Sequence, residues 1–348
     1  MTKKYKILTI SDSPLAPSGV GTQTRYMIDS LLNTGEFSFT CIAGALKHND
    51  YRTKLIEPWG EDFKIIPVDG YGDHSTIRRI LRDEKPDILW FMTDPRFYVW
   101  LWEIENEIRQ NVPMIYYHVW DNYPFPTFNQ RYYESNDLIA TISKVTSDIV
   151  QNVAPSVREQ YIPHAVDSQF FKPLPSEQIE EFRKQFDEHH NTEGKFIFFW
   201  NNRNARRKQS GSLLYWFKDF LDEVGHDKAC LIMHTDPKDG YGQDLNYCVA
   251  ELKLDAQQQV LFSTDKISME QLAMLYNMAD CTINISDAEG FGLATLESLS
   301  CGTPILVNMT GGLQEQVTDG KSMFGIGLQP DSRAVIGSQE VPFIYEDR

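Results

Sequence analysis

Short, unbroken apolar runs, most of them followed by a segment of helical periodicity, constrain this chain more than any other feature. "YKILTI" (5–10), "FTCIAG" (39–44), "FKIIPV" (63–68), "DILWFM" (87–92) and "PMIYYHV" (113–119) are the first five. They are too short for buried helices and too continuously apolar for strands with one wet face. Runs of this kind belong to a parallel sheet covered on both faces. Helical patterns lie between most of them, for instance over 22–32 and 75–83. The expected architecture is doubly wound α/β.

The pattern then restarts. "YIPHAVDSQFFKPLPSE" (161–177) carries prolines without periodicity and reads as a linker, and a polar helix is expected over 177–189. "KFIFFW", "ACLIMH", "QVLFS", "DCTINIS" and "TPILVN" are five further runs. A chain of 348 residues accommodates two domains, expected here as residues 1–173 and 174–348. Ligands of such sheets bind beyond the carboxyl ends of the strands, so the cleft between two domains is the expected active site. The sequence closes on "VPFIYEDR", where "VPFIY" reads as a strand with no helix after it. The expectation is a second domain short of its final helices.

Composition narrows the partners. The formal net charge of −16 argues against a general phosphate-backbone binder, and nucleic acid is not an expected partner. The cysteines Cys41, Cys230, Cys248, Cys281 and Cys301 form no C-x-x-C pair. Reduced thiols in a cytoplasmic protein are expected, rather than a zinc site or a disulfide framework. No apolar run is long enough to cross a bilayer, and peripheral membrane contact stays open.

The chemistry concentrates in "SDAEGFGLATLESLSCGTP" (286–304). Glu289 falls in the loop after a strand. Gly290 and Gly292 let the backbone turn and approach a ligand closely. A helix is expected from about Gly292 to Ser300, and the free N–H groups of Phe291, Gly292 and Leu293 favour an anion there. A diphosphate at that helix start would leave Glu289 on one side and Glu297 on the other. One carboxylate could hold a sugar hydroxyl and the other a ribose diol. Two isolated glutamates are more often a loop charge and a solvated helix residue; the strand–glycine–helix context sets this pair apart.

The wider stretch "ADCTINISDAEGFGLATLESLSCGTPILVNMTGGLQEQVTDG" (279–320) resembles the donor-site signature of retaining GT-B glycosyltransferases, glycosyltransferase family 4 in particular. The matching pieces are Glu289, Gly290-Phe291-Gly292, Glu297, Cys301-Gly302-Thr303-Pro304 and Gly311-Gly312-Leu313-Gln314-Glu315. The resemblance implies two tandem Rossmann-like domains with a nucleotide-sugar in the interdomain cleft. It implies that Glu289 holds the donor sugar and Glu297 the ribose.

Other landmarks follow in the family's order. "NNRNARRKQSG" (201–211) resembles the segment whose arginine and lysine hold the donor diphosphate, by position Arg203 and Lys208. Arg206 and Arg207 compete for that role, and Asn202 stands where the family has glycine. Cations in a dry cleft suit the charge that a departing diphosphate gains. Gly19 and Gly21, after the first strand, make a weak dinucleotide fingerprint because Thr24 stands at the third glycine position. They resemble instead the family's glycine loop, whose backbone approaches the donor phosphate. His118 ends a strand where the family often has a histidine near the reacting sugar carbon. "IPHAVDSQFFKP" (162–173) resembles the family's hinge segment.

These implications give a function: retaining, metal-independent transfer of a sugar from a UDP- or GDP-linked donor to a glycan, lipid or small-molecule acceptor. No cofactor and no metal are expected, and no D-x-D stands in the sequence. The acceptor is expected on the first domain, with Asp121, Tyr98, Trp120, Tyr123 and Phe125 as candidate contacts; core packing competes for the aromatic ones. A nucleotide-sugar-binding module without transfer activity and a nucleotide-sugar epimerase or hydrolase remain alternatives. A dinucleotide oxidoreductase ranks last, because "CIAGALKHND" (41–50) places no acidic residue clearly at the end of the second strand.

Overall fold

Every one of these apolar runs is a strand in the computed structural model, which describes residues 4–348. The chain divides into two units, Met1–His164 with Ile336–Tyr345, and Ala165–Val335 with Glu346–Arg348.

The first unit is built on eight strands: β1 (Tyr5–Asp12), β2 (Phe37–Gly44), β3 (Lys54–Ile56), β4 (Gly60–Pro67), β5 (Ile88–Met92), β6 (Met114–His118), β7 (Leu138–Thr141) and β8 (Glu159–Tyr161). Their order is β3-β4-β2-β1-β5-β6-β7-β8. Only β3 runs antiparallel, against β4. Leu8, Ile10, Leu89, Phe91 and Tyr116 are fully buried beneath Ile77, Ile80, Ile149 and Val150 of the covering helices. On the other face Ile7, Phe39, Cys41, Phe63 and Ile65 are buried as well, and burial on both faces is the reason the strands read as unbroken apolar runs.

The second unit carries β9 (Phe196–Asn201), β10 (Ala229–His234), β11 (Val260–Ser263), β12 (Cys281–Asn284), β13 (Ile305–Asn308) and β14 (Gly325–Leu328). All are parallel, in the order β11-β10-β9-β12-β13-β14. This is the dinucleotide-fold order, and the chain reverses its winding between β9 and β12. Loops leaving the carboxyl ends of those two strands therefore flank the crevice where such sheets bind ligands. A hairpin of β15 (Arg333–Ile336) and β16 (Ile344–Asp347) follows.

Three differences from the sequence expectation have physical causes. β3, β8 and β14 read KLI, EQY and GIGL and hold no fully buried residue, so they form no apolar run. The division falls after His164 rather than at 173/174. The stretch read as linker packs into the second unit, where Phe171 is 3% exposed and joins Phe199 and Tyr276 in one core. Finally, 336–345 belong to the first unit, with Val341 in its core, so the second domain does not hold 174–348 without interruption.

Candidate functional site

The loops after β9 and β12 are tied together. The backbone N–H of Asp287 donates to the carbonyl of Arg207 at 2.8 Å. This brings the cationic turn Arg206–Lys208 against the acidic loop. The Lys208 ammonium pairs with the Glu289 carboxylate, and their side chains are only 9% and 12% exposed. Arg207 donates through Nη1 to the Ala288 carbonyl at 2.6 Å and lies 3.3 Å from Glu289 Oε2. Burial opposes the ionisation of Glu289, but the charges of Lys208 and Arg207 outweigh it and hold the carboxyl below its usual range. The fold sets the side chains of Glu289 and Lys208, both named from the sequence, against each other; sequence position alone did not decide for Arg207.

Glycines shape this loop from behind. Gly312 donates its N–H to the Glu289 carbonyl at 2.8 Å. Gly311, at φ +49, passes so close to the Glu289 peptide that a side chain there would collide with its carbonyl. The Gly-Gly pair is thus a rest for the Glu289 backbone. Gly292 sits at φ +89, where a Cβ would lie 2.6 Å from Leu313. It caps the helix Leu293–Ser300, on which Glu297 stands. Phe291 is 6% exposed, and its carbonyl accepts from Gln316 Nε2 at 2.5 Å.

Glu297 has a different environment from Glu289. Tyr276 donates its hydroxyl to Glu297 Oε2 at 2.7 Å, and Asn201 Nδ2 donates to the Tyr276 oxygen at 2.9 Å. Among the described residues no cation offsets the cost of burial. Burial therefore raises the carboxyl from 4.5 to about 6, against the Tyr276 hydrogen bond that lowers it. The two glutamates share a loop–helix unit yet titrate in opposite directions.

Several expected residues lie elsewhere. Arg203 is mostly exposed, donates to Asp239 at 2.6 Å and covers the Tyr241 ring at 4.3 Å. It makes no ion pair with Glu289. His118 is a correction. It is fully buried between Tyr116 and Tyr133, neither ring nitrogen has a partner, and burial pushes it down to about 3. It is a neutral core side chain in this structure. Tyr98 is a second correction: fully buried, with its hydroxyl between the carbonyls of Ile10 and Met92. Trp120 is 6% exposed in the same core and bonds the Asn122 carbonyl. Of the proposed acceptor contacts, Asp121 and Tyr123 are half-buried and Phe125 is exposed. Gly19 and Gly21 fall inside the helix Gly19–Leu32, not in a loop before it. Gly21 is required by packing, since a Cβ would lie 2.7 Å from the Ser13 carbonyl.

Sequence reading missed a second charged cluster beside the loop. Arg206 forks onto Glu346 at 2.8 and 2.6 Å, and Glu346 is only 3% exposed. Arg348 lies 3.6 Å from Asp287, whose carboxyl is raised by burial. Nothing in the spacing of residues so far apart announces this cluster.

Residues 181–333 match the family model described as glycosyl transferases group 1. The chain is 28% identical, over 53% of its length, to alpha-monoglucosyldiacylglycerol synthase of Streptococcus pneumoniae, covering 39% of that protein. It is 27% identical, also over 53% of its length, to GDP-mannose-dependent alpha-(1-6)-phosphatidylinositol monomannoside mannosyltransferase of Mycolicibacterium smegmatis, covering 48% of it. The chain thus spans less than half the length of these curated relatives. Among solved structures it superposes on sucrose-phosphate synthase from Thermosynechococcus elongatus with a TM-score of 0.72 at 18% identity, over 94% of this chain and 87% of the other. That likeness shows a shared fold.

Proposed function

We propose that this chain, whose residues 181–333 match the family model described as glycosyl transferases group 1, is a glycosyltransferase drawing on a nucleotide-diphospho-sugar. Its two Rossmann-like units are those of the GT-B fold. The single observation that carries the reading is the buried Lys208–Glu289 pair at the switch point of the second sheet. A cation and a carboxylate held there, with the N-terminus of the helix Leu293–Ser300 beside them, suit an anionic leaving group next to a polyhydroxylated ring.

In this proposal Lys208 and Arg207 stabilise the departing diphosphate, with the N–H groups at Phe291, Gly292 and Leu293. Glu289 accepts hydrogen bonds from the donor sugar, and Glu297 from the ribose. The bond from the anomeric carbon to the diphosphate oxygen breaks as the acceptor oxygen bonds to the same face. The acceptor's proton passes to the departing diphosphate. The configuration is retained, and side-chain cations supply the positive charge that other transferases draw from a metal. The donor is UDP- or GDP-linked; the acceptor is a glycan, a lipid or a small molecule. Five free thiols favour the cytoplasm, and no helix among the described residues is long and apolar enough to cross a membrane.

The test is thermal stability against UDP, GDP and their glucose and mannose conjugates, with EDTA present. A ligand at 100 times its dissociation constant adds about 2.7 kcal/mol. Stabilisation by one nucleotide family, retained in EDTA and lost in Glu297→Ala, supports the reading. Indifference to every nucleotide sinks it. Turnover of the donor without an acceptor would point to a hydrolase or epimerase instead.

A further inference from the structure

Tyr276 lies on the helix Met269–Met278 and is fully buried. Its backbone carbonyl accepts from Thr303 Oγ1 at 2.6 Å, and its ring packs edge-on against Phe199 with centroids 5.0 Å apart. The phenol is therefore fixed at both ends. It has one proton to give, and an ionised carboxylate can only accept. The Tyr276 proton must then point at Glu297 Oε2, 2.7 Å away. The Tyr276 oxygen accepts from the Asn201 amide, 2.9 Å away at the end of β9. The direction of the whole chain, Asn201 to Tyr276 to Glu297, follows from the charge on Glu297.

We infer that Tyr276 is a positioning residue, held by Asn201, which anchors one oxygen of Glu297 and presents the other to the ribose diol of a bound nucleotide. This rests on the nucleotide-sugar reading of the site. Glu297 forms no ion pair with a described cation, and no described residue donates to its second oxygen. A glutamate side chain without an anchor spreads over several rotamers and loses entropy on binding. An anchored one has that cost met in advance. The same hydrogen bond favours the ionised form in a buried setting. The titratable groups facing Glu297 are Tyr276 and, beyond the end of its own helix, the Cys301 thiol, which burial raises to about 11 and so keeps neutral. Asn201, from β9, does not titrate.

The experiment uses the full chain and its Tyr276→Phe, Glu297→Gln and double variants. UDP and GDP affinities are measured by calorimetry from pH 5 to 8. The Glu297 carboxyl is titrated by carbon NMR in the ligand-free protein. Tyr276→Phe keeps the ring and its packing. Loss of one hydrogen bond to a charged group is expected to weaken nucleotide affinity about tenfold near neutral pH. It should also raise the midpoint of Glu297, and of nucleotide binding, by about one pH unit. At saturating donor, kcat should fall far less than kcat/KM. In the Glu297→Gln background, Tyr276→Phe should add little. A merely structural role for Tyr276 would lower affinity equally at every pH and leave the Glu297 midpoint in place, and that result overturns the inference. Nucleotide binding by the parent with an unchanged midpoint in Tyr276→Phe removes the inference alone. No nucleotide binding by the parent removes the glycosyltransferase reading, and the inference with it.

Discussion

Lys208 and Glu289 form a buried ion pair across the two loops that leave β9 and β12. The Lys208 charge is the largest contribution offsetting the burial of Glu289. Removing Glu289 leaves an ammonium 7% exposed with Arg207 beside it. Glu289→Ala should cost about 3 kcal/mol in denaturant unfolding, and the Glu289→Ala, Lys208→Met double variant should regain a good part of that. Transfer should be lost in both. Near-normal turnover by Glu289→Ala would remove this residue from the site.

Glu297 sets activity against stability. Its carboxyl stands at about 6 in the folded chain against 4.5 when unperturbed. Between those values the folded chain holds more protons than the unfolded one, so stability falls as pH rises from about 4.5 to 6. The loss amounts to about 2 kcal/mol and persists at higher pH. Glu297→Gln should therefore be more stable than the parent at pH 8 by roughly that amount and level with it near pH 4.5. It should bind nucleotide poorly. Unfolding curves for the two proteins at both pH values decide the matter.

His118 should behave as a core residue. Its folded value is depressed to about 3 from 6.5, so the unfolded chain binds the extra proton as pH falls. Its contribution to stability is complete above about pH 6.5 and drains away below it. His118→Phe removes two unpaired buried nitrogens and should resist acid better than the parent, with turnover kept within about threefold. A loss of turnover without a loss of fold would return His118 to the chemistry.

Arg207 should matter more than Arg203. The first reaches Glu289 and the Ala288 carbonyl, and the second is held outward by Asp239 and Tyr241. Arg207→Ala is expected to lower kcat/KM at least about tenfold, and Arg203→Ala by less than about threefold. The reverse ranking in steady-state kinetics would assign the diphosphate to Arg203.

Gly311→Ala tests the rest behind Glu289. At φ +49, and against the Glu289 carbonyl, an added methyl must displace the loop. Stability should drop by about 1–3 kcal/mol, and donor affinity should drop with it, read by thermal shift with and without nucleotide.

The sequence displays what burial on two sides imposes. β1, β2, β5, β6, β9 and β10 are unbroken apolar runs because helices cover both faces of their sheets. Glu289 and Glu297 are visible because glycines and a helix start surround them in sequence, and Lys208 is singled out only by the resemblance of "NNRNARRKQSG" to the family's diphosphate segment. Tyr276 and Asn201 are not visible. One sits in an ordinary helix and the other at the end of an ordinary strand, and only the fold brings them to Glu297. His118 and Tyr98 mislead for a related reason. A histidine ending a strand, or a tyrosine in the short helical turn that follows one, is equally compatible with a ligand and with a core, and only burial separates the two. Glu346 looks like a surface charge in its local sequence, yet it is buried against Arg206.

The polypeptide passes between its two units three times, after His164, after Val335 and after Tyr345. No single cut can separate them. A fragment beginning at Ala165 would carry 336–345 without the core that receives Val341, and a fragment ending at His164 would lack that segment. Exchanging one unit between relatives therefore calls for two transplanted pieces rather than one. Proteolysis at one joint should leave the halves threaded together, co-eluting until a denaturant releases them.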